Sequence, residues 1–236
     1  MNEIEFLKGY NIHDYEIPLC SVDTVIFSLI ESEINVLLVK RDEHPCKDLL
    51  ALPGGFIDLK RDESSEASAH RKLTEKTGIT SAYLEQIETI GSPIRDPRGW
   101  SITILYFALI DATKVSASKL GASSLWMPIS KLKNEKIGFD HKDLIDKAMS
   151  RLRAKATYTA LPIELMPNEF TLSELQNVFS VIMGRELQPK AFRKRVIDAG
   201  MVKETGKSKI SGKRPAKLYA STNLDRDTYF SRPLQE

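Results

Sequence analysis

Two short apolar runs near the start of the chain set its first element. VDTVIFSLI (22–30) and INVLLVK (34–40) are rich in β-branched and aliphatic residues, and the polar triplet Glu31-Ser32-Glu33 separates them. That pattern predicts a β-hairpin. Further strands are predicted at about 82–90, at ITILYFALI (102–110) and at SLWMPI (124–129). LPGGF (52–56) reads as a loop, forced by Pro53 and paired glycines. A helix is predicted from Ser64 or Ser65 to Thr77, with Gly78 as its left-handed cap. Asp140 is placed to cap a helix reaching about Ala156, whose apolar stripe is Leu144, Ile145, Ala148 and Leu152. Strict βαβ alternation is missing, so the first unit is mixed α/β rather than doubly wound.

The pattern changes at TYTALPIELMPNEF (157–170), whose two prolines mark a boundary between units 1–156 and 157–236. Thr171 and Glu174 have capping-box spacing and open a helix to about Met183, closed by Gly184. Pro189 suits the first turn of a second helix, 189–199, which Gly200 ends. A short strand (201–204), a loop TGKSKISGKRP (205–215) and a strand (216–220) complete the unit. Helix, turn, helix and a Lys/Gly-rich hairpin is the order of a winged helix-turn-helix.

Charge sharpens this division. Residues 1–150 hold 18 Lys+Arg against 23 Asp+Glu, a net of −5, while residues 151–236 hold 16 against 9, a net of +7. A basic second unit points to an anionic partner. On its second helix Phe192, Val196 and Ala199 form the buried stripe, and Lys190, Arg193 and Lys194 lie on roughly the opposite side. Arg195 sits on a flank, and Lys207, Lys209, Lys213, Arg214 and Lys217 make a basic wing. Duplex DNA is the expected partner, because the aromatic platforms of RNA-stacking modules do not interleave with these residues. Only two cysteines, Cys20 and Cys46, occur, so no disulfide framework is indicated. No apolar run has the length of a membrane span, and MNEIEFLKGY carries acids where a signal peptide needs positive charge. A cytoplasmic, membrane-free location is expected. The histidines His13, His44, His70 and His141 lack metal-ligand spacing and read as surface or capping residues.

The segment PGGFIDLKRDESSEASAHRKLTEKTGI (53–79) resembles the Nudix box, G-x5-E-x7-R-E-U-x-E-E-x-G-U with U aliphatic. Arg71 takes the arginine position, Leu73 and Ile79 the aliphatic ones, Gly78 the glycine, and Glu63 the first glutamate. IRDPRGWSITILYFAL (94–109) resembles the segment that follows the box in ADP-ribose pyrophosphatases. The departures fall on the chemistry. The three core glutamates of the box map to 72, 75 and 76, where only Glu75 is acidic, and seven residues instead of five separate Gly55 from Glu63. Those three positions share one helix face, and magnesium needs oxygen donors there, whereas ammonium groups repel it. The sequence therefore implies no metal site and no catalytic residue. It implies a cleft that holds a diphosphate, with Gly54, Gly55, Phe56, Arg71, Lys72, Glu75, Arg95, Arg98 and Trp100 as candidate ligand-binding residues. The alternative is an active ADP-ribose-type hydrolase that recruits Asp58, Asp62 or Glu66 and carries an accessory DNA-binding unit.

Taken together, the two units resemble the Nudix-related transcriptional regulators of NAD metabolism, the NrtR family. The resemblance runs from VDTVIFSLI through RKLTEKTG, RDPRGWS and FDHKDLI to ELQPKAFRKRVIDAGMV and SGKRPAKLY. It implies an α+β fold, with a Nudix-type α/β/α sandwich on a mixed sheet followed by a winged helix-turn-helix. It also implies a homodimeric repressor of NAD biosynthesis or salvage genes on a palindromic double-stranded operator. Such a regulator requires no cofactor, and its effector is ADP-ribose or a related nucleotide.

Overall fold

The computed structural model describes residues 2–80, 82–115, 120, 123–211, 214–222, 229–230 and 233–234. In chain order the elements are α1 (Glu3–Gly9), β1 (Leu19–Ile30), β2 (Glu33–Lys40), β3 (Leu50–Ala51), β4 (Gly54–Phe56), α2 (Ser65–Thr77), β5 (Tyr83–Ser92), β6 (Ser101–Leu109), β7 (Ser124–Pro128) and α3 (His141–Ala156). The second unit supplies α4 (Leu172–Met183), α5 (Pro189–Asp198), β8 (Val202–Ser211) and β9 (Arg214–Ser221).

β1 and β2 form the expected hairpin, and β1 also pairs in parallel with β6 from Leu19↔Ser101 to Phe27↔Leu109. The sheet order is β3-β2-β1-β6-β5, with β4 added to β1 and β7 to β2, so the sheet is mixed. Alternation along the strands divides the core between the two faces. Val22, Ile26, Leu37, Tyr106 and Ala108 pack with Ala69 and Leu73 of α2. Val25, Phe27, Val36, Leu38, Leu105 and Phe107 face Leu144, Ile145, Ala148 and Leu152 of α3. Helices on both faces make the α/β/α sandwich. The α3-side core continues without interruption into Leu175, Phe179, Phe192 and Val196 of the winged unit.

Local signals hold at the helix ends. Ser64 accepts from the Ala67 amide, and Gly78 is left-handed at φ 73°. Thr171 and Glu174 close their capping box at 3.1 and 2.8 Å, with left-handed Gly184 at φ 68° closing α4.

Three expectations change, and one element is new. Asp140 occupies the N-cap position of α3, but its carboxylate makes no cap bond because it is engaged elsewhere. LPGGF is not only a loop, since Gly54–Phe56 pairs with Ser21, Val22 and Asp23 of β1. The loop TGKSKISGKRP is largely strand, with β8 and β9 paired from Ser208↔Lys217 to Ser211↔Arg214. A two-stranded ribbon with solvent on both sides needs no apolar alternation, so its polar composition concealed it. Finally, α1 was not foreseen; it carries its own Asn2/Glu5 capping box and buries none of its residues.

Candidate functional site

The cleft opens where β4 crosses the start of β1. A Cβ on Gly54 would fall 2.3 Å from Asp23 Oδ1 and 2.5 Å from the Val22 carbonyl, so only glycine lets β4 come this close. Gly55 adopts φ +142°, again a glycine conformation. The lining brings together Gly54, Gly55, Phe56, Arg95 and Arg98 of the predicted set, with Ser21, Asp23, Arg41, Asp96, Phe139 and His141. The Arg98 guanidinium lies 4.8 Å from the Phe56 ring centre, and Arg41 lies 4.9 Å from that of Phe139. Arg98 also grips Asp96 through Nη2 at 2.7 Å, which holds the Asp96 carboxyl below its usual range and raises the guanidinium.

Arg71, Lys72 and Glu75 are not among the lining residues. Arg71 donates two 2.7 Å bonds to Asp62 and a 3.3 Å bond to Glu75. The bidentate clamp drives Asp62 far below, and Arg71 far above, their ordinary values. Glu75 also receives Arg61 Nη2 at 3.3 Å. The Lys72 ammonium stands beside Gly55, 3.3 Å from where a Cβ would lie, and so reaches the glycine turn. Trp100 lines a separate hollow with Ile17, Pro18 and Ile102, and its ring packs over Gly91. Arg98 borders both spaces.

Magnesium does not fit the helix face that the resemblance assigns to it. That face offers the Lys72 and Lys76 amines and a Glu75 carboxylate already shared by two arginines. The acids named as substitutes do not converge: Asp58 accepts from the Lys60 amide, Asp62 faces Arg71, and Glu66 lies 3.9 Å from His70. Among the described residues no three His, Cys, Asp or Glu side chains form a metal-binding group.

Deeper in the cleft, Arg95 meets Asp23 and Asp140 in a buried cluster that includes His141. His141 is thus a buried pocket residue and not a surface one. Its Nδ1 accepts from the Leu52 amide at 2.9 Å, which leaves the proton on Nε2, 3.7 Å from Asp23 Oδ1. Burial pushes its pKa down, against the pull of Asp23 and Asp140. Sequence reasoning missed Asp23, Arg41, Phe139 and His141. Asp23 left a signal as an acid inside the apolar run VDTVIFSLI, and Phe139 and His141 lie in the resembling segment FDHKDLI.

The winged unit presents the basic face. Phe192 meets Phe179 edge-on at 5.1 Å and Val196 is buried, which turns Lys190, Arg193 and Lys194 to solvent. Arg193 donates to Ser173 Oγ at 3.0 Å, and half-buried Arg195 donates to the Pro233 carbonyl at 2.6 Å. On the wing, Lys207 pairs with Glu169, Lys209 with Glu174 and Lys217 with Glu204, each at 2.9 Å. Lys213 and the side chain of Arg214 lie outside the described residues. No helix among the described residues is long and apolar enough to cross a membrane.

Comparison with known proteins agrees with both halves. Residues 21–148 match the NUDIX domain, and residues 162–220 match the NrtR DNA-binding winged helix domain. An ADPR responsive transcriptional repressor, NtrR, from Acinetobacter baylyi is 49% identical over 99% of this chain and 94% of its own length. The crystal structure of Shewanella oneidensis NrtR complexed with a 27mer DNA superposes with a TM-score of 0.87 at 38% identity, covering 92% of this chain and 99% of that one. The NUDIX domain of the same Shewanella protein, in cocrystal with ADP ribose, is 40% identical with a TM-score of 0.59, covering 64% of this chain and 99% of that one. With a Nudix sandwich, a winged helix and 49% identity over nearly its full length to an ADPR responsive repressor, the chain belongs to the NrtR family.

Proposed function

We propose that this protein is a DNA-binding transcriptional repressor of NAD biosynthesis or salvage genes, in which the Nudix cleft senses ADP-ribose or a close relative without hydrolysing it. The observation that carries this reading is the Lys72 ammonium at the Gly55 turn, on a helix whose Glu75 is held by Arg61 and Arg71. A cation there attracts a diphosphate electrostatically and supplies no site for the metal that Nudix hydrolysis uses. Arg95 and Arg98 add charge, and Phe56 offers a ring for stacking. Residues 1–156 form the sensing unit and 157–236 the DNA-binding unit.

Lys190, Arg193 and Lys194 approach the major groove while the β8–β9 wing follows the backbone. The protein acts in the cytoplasm as a homodimer on a palindromic operator, the spacing of its two α5 helices matching successive grooves. Ligand favours an arrangement that breaks this match, which lowers operator affinity. A gel-shift series tests the reading, using DNA upstream of NAD-biosynthesis genes at fixed salt with and without ADP-ribose. Shifted bands that ADP-ribose dissolves support it, and unchanged operator affinity at saturating ADP-ribose overturns the sensing role. Incubation with ADP-ribose and Mg²⁺ or Mn²⁺ decides against the hydrolase alternative if no AMP appears.

A further inference from the structure

Arg95 is where the cleft meets α3. Its guanidinium is 6% exposed and gives Nε to Asp140 Oδ2 at 3.0 Å and Nη2 to Asp140 Oδ1 at 3.1 Å. Nη2 also reaches Asp23 Oδ2 at 3.4 Å, and Nη1 faces Ser101 Oγ at 3.4 Å. Two carboxylates therefore share one guanidinium in the wall of a cleft that is to receive further negative charge.

The two are not equally held. Asp23 lies within β1, accepts the Thr103 hydroxyl at 2.7 Å and faces His141, so the sheet fixes it. Asp140 stands one residue before α3 with its side chain 21% exposed, and it leaves the helix's own first-turn amides without a side-chain cap. An aspartate at that position ordinarily caps them. The residue before it, Phe139, lines the cleft and holds a left-handed φ of 56°, a conformation costly for a bulky side chain.

We infer that Asp140 is a movable counter-ion: an entering diphosphate takes the Nε–Nη2 edge of Arg95, and the released carboxylate turns to cap α3. This rests on the reading of the cleft as a nucleotide-diphosphate site. The exchange reaches the DNA-binding unit because α3 is a rod of 16 residues, roughly 24 Å long. At its far end Arg153 donates to the Ile182 carbonyl of α4 at 3.2 Å, and the Thr157 carbonyl accepts from Leu234 at 2.6 Å. Ligand thus changes the counter-ion at one end of a rod whose other end holds the last turn of α4. Coupling between the sites requires that this link give the free and DNA-bound states different ligand affinities, which the measurements below read directly.

The test uses full-length Asp140→Asn, which keeps a capping oxygen and removes the competing charge, with Asp143→Asn as control. ADP-ribose affinity is measured by calorimetry, and operator affinity with and without ADP-ribose by fluorescence anisotropy. The D140N protein should bind ADP-ribose about five- to tenfold more tightly, with a correspondingly smaller ligand-induced loss of operator binding. The control should match the unmodified chain. A merely structural role gives the opposite sign, since damage to the wall weakens ligand binding. D140N binding ADP-ribose no more tightly and keeping the full response overturns the inference while leaving the cleft reading intact. An unmodified chain that does not bind ADP-ribose overturns both. Should D140N not fold, Asp140→Ser, also a capping residue without charge, carries the same expectation and the same refutation.

Discussion

Around the cleft, Arg71, Arg95 and Arg98 each face a carboxylate, at 2.7, 3.0 and 2.7 Å. On α5, Lys190 and Lys194 are exposed and have no hydrogen bond or ion pair with any described residue. These three arginines are engaged in building the cleft wall, whereas the two α5 lysines are open to solvent. Sequence shows both as charge density. The difference lies in what the fold sets opposite each one.

The hardest way to break this comparison is to remove a clamped cation. Arg95→Ala leaves buried Asp23 without its guanidinium, and we expect a loss of about 3–5 kcal/mol in chemical denaturation. A cost below about 1 kcal/mol would show that the pair is not clamped at all. Removing the open cations should do the reverse. Lys190→Ala with Lys194→Ala should weaken operator binding about tenfold to hundredfold and lower the slope of log affinity against log salt by about 0.9 per lost phosphate contact. The melting temperature should hardly move, and a double variant that melts early instead would contradict their openness.

A third test concerns the one cleft residue kept from becoming a cation. Burial holds His141 below its ordinary value of 6.5. The unfolded chain therefore takes up the proton first, so this contribution to stability is complete above pH 6.5 and is lost as the pH falls below it. At pH 5.5 the loss is at most about 1.4 kcal/mol. His141→Gln should flatten the stability profile between pH 7.5 and 5.5, and a wild-type slope in that variant would place the titration elsewhere. The smallest effect sits between the two classes. Lys207 is tied to Glu169 although both side chains are well exposed, so the pair is worth only about 0.2–1 kcal/mol. Glu169→Gln should free the lysine and tighten operator binding by no more than about fivefold, read at low salt where such pairs still count.

What the sequence shows follows the range of each interaction. α2 and α4 were readable because Ser64, Gly78, Thr171, Glu174 and Gly184 act within one or two turns of their own helices. The parallel pairing of β1 with β6 was not, since it joins residues about eighty positions apart and no local pattern encodes a partner. The cleft divides the same way. Gly54, Gly55 and Phe56 lie together in sequence, as do Arg95 and Arg98, whereas Arg41, just after β2, and Phe139 and His141, at the start of α3, join them only once the sheet has formed. Helical spacing gives the side of α2 on which Arg71 and Glu75 lie, but it does not reveal that Asp62 and Arg61 occupy them first.

Glu174 shows how one side chain can serve two ends of the DNA-binding unit. Its Oε2 accepts the Thr171 amide and completes the cap of α4, while its Oε1 holds the Lys209 ammonium of the wing. The two tasks fall on different oxygens, so the wing is moored by a line that can be cast off without loosening the post. Were an anion to draw Lys209 away, the Thr171 amide would keep its acceptor and the start of α4 its cap. The ribbon stays tied to the same end of α4 by the backbone pair of Phe170 with Tyr219 and by Lys207 on Glu169.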